Sequence, residues 1–293
     1  MSLHPAFKSG RTAVITGAAS GIGLAAAEFF VKLGMNVCLA DVDEVALQHA
    51  ASRVAGLARS NADVMAVRTD VSRIGDLEAL KSQVYAAFGE VAVLMNNAGV
   101  EGGGNLLGDR ARWQKILDVN LWGVINGVQC FVPDMIAQGT ECVIINTGSK
   151  QGITCPPGDT AYNVSKAGTK VVTEALAHEL RSTPECKITA HLLIPGFTFT
   201  GMTRVKTKIK PDGAWNPDQV IDFMYNSIEK GDFYILCPDN NVTREVDALR
   251  IKWAADDIVE NRPPLSRWHS DYKDHFDAYL AAGLAGQDKN KIA

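Results

Sequence analysis

The sequence predicts an α/β protein with a doubly wound parallel sheet, helices on both faces, and a helical C-terminal extension to a single domain. Three observations carry this. Short apolar runs alternate with segments of helical spacing over the first 200 residues. The first run ends in the Gly-rich turn Thr16-Gly17-Ala18-Ala19-Ser20-Gly21-Ile22-Gly23 and leads straight into a helix. After Pro195 the alternation gives way to turn residues, then to aromatic and charged segments. Parallel strands need a crossover between them, and helices of this length supply it.

The elements follow in order. Ala13–Thr16 is the first strand, and Leu24 to Leu33 the first helix, with Gly34 where a helix stops. Asn36–Ala40 is the second strand, followed by a helical segment from Asp43 to Ser60. Val64–Arg68 and Ile74–Phe88 form the third strand and helix. Val91–Met95 is the fourth strand, Arg110 to Ala137 one long helical stretch, and Cys142–Asn146 the fifth strand. Ala161–Arg181 is a helix and Ile188–Ile194 the sixth strand. Asn216-Pro217 reads as a helix cap with Pro at the first position, Gly231 as its stop, and Phe233–Cys237 as a last strand. The division is a main domain over 8–238, with a substrate lid at about 201–230, and a helical extension over 239–293.

Composition excludes several classes. The chain has 293 residues and a net charge of −4, so nothing drives it electrostatically toward nucleic acid or anionic lipid. Glu28, Lys32 and nearby glycines break the longest apolar stretches, which excludes a bilayer span, and residues 1–10 lack the apolar core of a signal peptide. The six cysteines (Cys38, Cys130, Cys142, Cys155, Cys186, Cys237) are scattered, without a CxxC or a His cluster. They read as reduced thiols in a cytoplasmic protein with no metal site.

The Gly-rich turn has the strand before it and the helix after it that a phosphate-binding turn requires. Gly17, Gly21 and Gly23 permit a tight turn and close backbone approach, while Ser20, Ile22 and the helix N-terminus present N–H groups to a pyrophosphate. Asp41 ends the second strand 18 residues after Gly23, where an acid accepts hydrogen bonds from the adenosine ribose hydroxyls and repels a 2′-phosphate. Val42 and Ala18–Ser20 carry no positive charge, so the expected cofactor is NAD rather than NADP. The alternative for Asp41 is a cap on the following helix.

Tyr162 and Lys166 lie four apart on one helix face. A tyrosine is a poor base at neutral pH unless a neighbouring cation stabilises its phenolate. Ser149 lies 13 residues upstream, Asn96-Asn97-Ala98-Gly99 follows the fourth strand, and Asn120 sits in the next helix. In this topology these groups gather at the carboxyl ends of the strands, where open α/β sheets bind ligands.

With these motifs in this order, residues 8–238 resemble the short-chain dehydrogenase/reductase family of Rossmann-fold enzymes. The resemblance rests on TGAASGIG (16–23), Asp41, Asp70-Val71, NNAG (96–99), Asn120, Ser149, the Tyr162/Lys166 pair and Pro195-Gly196-Phe197-Thr198-Phe199-Thr200. It implies that Tyr162 is the general acid/base and that Ser149 bonds the same substrate oxygen. It implies that Lys166 holds the nicotinamide ribose and lowers the Tyr162 pKa, and that Asn120 anchors a water in a proton relay. It further implies that Asp70 and Val71 frame the adenine, that Asn97, Ala98 and Gly99 flank the adenosine ribose, and that Pro195, Gly196, Thr198 and Thr200 lie at the nicotinamide end. The implied reaction is hydride transfer between a secondary alcohol and a ketone. The implied assembly is a dimer or tetramer paired through helices 110–137 and 161–181. Three departures stand out: a single serine in Thr147-Gly148-Ser149, a last strand closing Leu236-Cys237-Pro238, and 55 further residues.

Phe197, Phe199, Met202 and Trp215 border the expected lid, with Glu101–Asn105 and Gln151–Cys155 nearby, which favours a hydrophobic or aromatic substrate. Lys206, Lys208 and Lys210 read as solvated surface. The alternatives are a non-catalytic NAD-binding sensor or scaffold, and a sugar-nucleotide epimerase or dehydratase. Val242, Val246, Leu249 and Trp253, and then Tyr272, Phe276, Tyr279 and Leu280, form apolar stripes around Pro263-Pro264. This tail is expected to pack near the lid and shape the pocket, against the alternative of a peripheral appendage.

Overall fold

The computed structural model describes residues 4–58, 62–201 and 209–292, with side chains to 286. The strands are β1 (Thr12–Thr16), β2 (Asn36–Asp41), β3 (Val64–Arg68), β4 (Val93–Asn96), β5 (Cys142–Thr147), β6 (Ile188–Ile194) and β7 (Tyr234–Leu236). They form a parallel sheet in the order β3-β2-β1-β4-β5-β6-β7. The chain reverses direction across the sheet between β1 and β4, and the crevice above their carboxyl ends is the topological switch point.

Alternate residues of β1, β2, β4 and β5 feed two cores. Ile15, Leu39 and Met95 pack with α1 (Gly21–Lys32), α2 (Glu44–Ala55) and a helix at Pro217–Glu229. Val14, Cys38, Leu94 and Ile144 face the opposite layer of α3 (Ile74–Phe88), α5 (Gly123–Ala137) and α7 (Thr160–Ser182). Two buried layers on one sheet explain why the strands read as continuous apolar runs.

Most boundaries shift by one to three residues, and three differences from the sequence reading are larger. The segment expected as helix over Asp43–Ser60 closes at Ala55, with Gly56 as its C-cap, and residues 59–61 lie outside the described residues. The long stretch 110–137 is α4 (Arg110–Leu117), a π-helical turn at Asp118–Trp122, and then α5. A π turn adds one residue to the ring without disturbing the apolar face, so periodicity does not reveal it. The stretch expected as a lid divides. Residues 202–208, with Met202, Lys206 and Lys208, lie outside the described residues. Pro217–Glu229, here α8, is a core helix whose Val220, Ile221, Met224 and Ile228 are buried with α1. Its start follows the sequence: Pro217 at the first position, and Gln219 Oε1 accepting from Asn216 N at 2.9 Å.

The tail forms α9 (Arg244–Val259) and α10 (Lys273–Ile292), joined through short 3₁₀ turns. Its two stripes meet each other: the Trp253 ring lies 5.3 Å from Phe276 and 5.1 Å from Tyr279. Trp253 Nε1 donates to Ser266 Oγ at 2.8 Å, and Arg262 stacks on the Trp253 ring at 4.1 Å. The tail begins against the Asp212–Ala214 turn, where Asn240 N donates to Gly213 O and Asn240 Nδ2 to Asp212 O. The six cysteines are free thiols, and burial pushes Cys38 and Cys237 up to about 12. No described helix is long and apolar enough to cross a membrane.

Candidate active site

The Gly-rich turn is built by steric necessity. A Cβ on Gly23 would lie 2.3 Å from Gly17 O, and one on Gly17 (φ +65°) would lie 2.7 Å from Ala98 Cα. The turn therefore sits tightly on the segment after β4. Thr16 Oγ1 accepts from Asn97 N and Ala98 N, while Asn97 Nδ2 donates to Thr16 O at 3.1 Å. The Asn97 side chain thus secures the turn. Ser20 is the N-cap of α1, yet its exposed hydroxyl makes no capping bond. No acid occupies the first turn of this helix. A cap hydroxyl left available at an acid-free N-terminus suits a phosphate.

Asp41 Oδ2 accepts from Ala19 N at 3.0 Å and Oδ1 from Asp43 N at 3.1 Å. The helix cap is Asp43, which accepts from Ala46 N at 3.0 Å, so the capping alternative for Asp41 falls away. Asp41 instead orients the Gly-rich turn from the end of β2. At the end of β3, Asp70 Oδ1 is engaged by Ser72 N and Oγ, and Val71 packs against Gly123, whose Cβ would lie 2.6 Å from Val71 Cγ2. Thr200 sits over the turn: a Cβ on Gly21 would be 3.2 Å from Thr200 Cβ. Thr198 is buried and pairs with Trp215 through a β-bridge, and Gly196 closes on Lys150 and Asp239. These residues fit a dinucleotide at the switch point.

The second group lies at the end of β5. The Ser149 hydroxyl neighbours the Tyr162 phenol and draws its pKa down. Lys166 is buried one turn along α7; its Nζ donates to Thr147 O at 2.7 Å and lies 5.8 Å from the Tyr162 ring centroid. A Cβ on Gly99 would be 3.5 Å from Asn120 Oδ1 and 3.6 Å from Lys166 Nζ, so these three positions adjoin. The π turn carries Asn120 into the interior. Its amide is committed to Val100, donating to the carbonyl and accepting from the N–H, both at 2.8 Å, and its carbonyl accepts from Thr169 Oγ1.

Desolvation pushes the Tyr162 phenol up to about 12, with Glu101 and Asp159 adding to the rise and the Ser149 hydroxyl opposing it. Burial pulls Lys166 down to about 8. The Lys166 ammonium donates to the Thr147 carbonyl, and the Ser149 hydroxyl draws the phenol down. Both shifts favour the neutral forms, as desolvation dictates.

Sequence reading missed two groups here. Asp159 caps α7, accepting from Tyr162 N at 3.2 Å, and staples Gly102 N and Gly104 N at 2.9 and 3.0 Å. An Asp just before a helical run is a cap signal and could have been found. Lys150 pairs with Asp239 and Asp247, contacts with no local signature.

The family model for the short chain dehydrogenases matches residues 11–210. The chain is a short-chain dehydrogenase. A Mycobacterium tuberculosis chain named as an oxidoreductase, SadH, is 38% identical over 175 residues, covering 58% of this chain and 61% of its own length. The 1-deoxy-11-beta-hydroxypentalenate dehydrogenase of Streptomyces exfoliatus is 30% identical over 264 residues, covering 88% and 94%. A short-chain dehydrogenase/reductase from Burkholderia phymatum, solved with NAD, superposes with a TM-score of 0.79 at 33% identity over 88% of this chain and 97% of its own. The family is one of oxidoreductases that use a nicotinamide cofactor, and this chain carries its Rossmann-type sheet.

Proposed function

We propose that this short-chain dehydrogenase interconverts a secondary alcohol and a ketone with NAD, on a hydrophobic or aromatic substrate. The observation that carries the reading is Lys166 buried one turn along the helix from Tyr162, its ammonium 5.8 Å from that ring, with the Ser149 hydroxyl acting on the same phenol. Once the Tyr162 phenol has given up its own proton, a substrate hydroxyl held by Ser149 passes its proton to the Tyr162 phenolate. Lys166 and Asn120, adjoining at Gly99, lie where a proton leaves the site. Bound NAD would accept the hydride from the carbinol carbon. In reduction Tyr162 returns its proton to the nascent alkoxide.

Phe197, Phe199 and Trp215 support an apolar substrate; their backbones pair, with Trp215 N donating to Phe197 O and Phe199 N to Trp215 O, both at 2.8 Å. The NAD-bound structure and the hydroxypentalenate dehydrogenase among the relatives support the same reading. Exposed Trp122, Ile136, Val164 and Val171 on the helices 110–137 and 161–181 support self-pairing into a dimer or tetramer. A sensor or scaffold has no use for a buried lysine beside a neighbouring Ser–Tyr pair.

The cofactor assignment has its own test. Asp41 stands at the end of β2 beside the Gly-rich turn, where it would receive the ribose hydroxyls, so a 2′-phosphate would meet like charge there. Wild type should bind NADH about 10²-fold or more tightly than NADPH, equivalent to about 2.7 kcal/mol. Asp41→Ala should narrow the gap, read as Kd by fluorescence titration. Equal wild-type affinities contradict the assignment. Oxidation of a hydrophobic secondary alcohol, followed as NADH absorbance, tests the reaction itself.

A further inference from the structure

We infer that the C-terminal extension positions the Ser149 loop through an ion cluster of Asp247, Lys150 and Asp239, an inference that rests on the role proposed for Ser149. Lys150 directly follows Ser149 and leads into α6 (Gln151–Thr154). Its Nζ lies 2.6 Å from Asp247 Oδ2, in the first turn of α9, and 3.3 Å from Asp239 Oδ2, just after β7. Both acidic side chains are nearly fully buried, at 6% and 7% exposure, and the lysine is 18% exposed. Asp239 Oδ2 also accepts from Phe197 N at 3.2 Å.

One ammonium therefore ties three segments: the Ser149 loop, the Pro195–Phe197 end of β6, and the tail. The two former segments carry proposed substrate and nicotinamide contacts. Gly196 makes the closure possible, since a Cβ there would lie 2.8 Å from Asp239 Oδ2 and 3.1 Å from Lys150 Nζ. Arg250, 3.9 Å from Asp247 Oδ1, balances the second acid, so the cluster holds two cations and two anions. A buried ion pair contributes little net stability but holds its partners to few geometries, because water does not substitute for either charge. Such a cluster suits a hydroxyl that must be held to a fraction of an ångström.

Asp247→Asn keeps the shape and removes the charge; Lys150→Arg keeps the charge. The full-length variants are compared with wild type for kcat, KM, NADH Kd and hydrogen exchange of residues 148–155 and 196–199. Positioning predicts that Asp247→Asn loses about tenfold or more in kcat, keeps its NADH Kd, and exchanges faster in both segments. Lys150→Arg should retain most of the activity. If Asp247→Asn does not fold, Lys150→Met combined with Asp247→Leu leaves neither of those two charges and carries the same expectations. Wild-type exchange in both segments overturns the inference, and so does faster exchange with unchanged kcat, which marks a merely structural contact. If the wild type turns over no alcohol, the proposed reaction fails, while the exchange readout still decides whether the tail holds the loop.

Discussion

Tyr162→Phe should abolish turnover while leaving NADH affinity nearly unchanged. The phenol is the group beside Ser149, and the ring that remains still fills its place on α7. Removing a general acid/base costs about 10²–10⁴-fold in rate. Ser149 keeps Gln151 N as donor to its oxygen at 3.2 Å, so the loop keeps its anchor. The Tm should therefore shift little. Steady-state rates and an NADH titration on the same preparation check both halves. In wild type the oxidation rate should rise with pH, because the phenol is held up to about 12 and the Tyr162–Lys166 pair must shed a proton to accept one from the alcohol.

Lys166→Met should damage both binding and rate, yet at neutral pH it should not cost stability in proportion. The wild-type ammonium is buried, and burial pulls it from 10.5 down to about 8. The sign follows from linkage. Between about pH 8 and the unfolded value the unfolded chain binds the extra proton, so wild-type stability gains with rising pH. Below pH 8 both states are protonated and the burial penalty is present in full. Methionine carries no such penalty, although it leaves the Thr147 carbonyl without its 2.7 Å donor. The Tm of wild type relative to Lys166→Met should therefore improve from pH 7 to pH 10. A difference that is flat across that range contradicts a buried, depressed lysine.

The fold was legible because each part left a repeating mark. Strands buried on both faces read as apolar runs, and the first helix follows a turn that steric contact restricts to glycine at 17 and 23. The Ser149, Tyr162 and Lys166 positions were legible through their spacing on a helix and past a strand end. The π turn at Asn120 was not, since one extra residue leaves the apolar face intact. Nor was the place of α8, where an amphipathic helix after a loop reads equally as lid or core; four buried apolar side chains against α1 decide it. Lys150 and Asp247 were invisible because their contact joins distant parts of the chain through long-range geometry alone. The tail stripes were read as apolar faces in need of partners, and the partners are largely each other.

The most direct measurement of the central claim is hydride transfer itself. Wild-type protein is assayed by NADH absorbance over a panel of aryl, alicyclic and short polar secondary alcohols, with NAD and with NADP. Turnover of a hydrophobic member of the panel with NAD is expected, greatly diminished in Tyr162→Phe. Tight NADH binding with no turnover of any alcohol, or equal turnover by Tyr162→Phe, would contradict it.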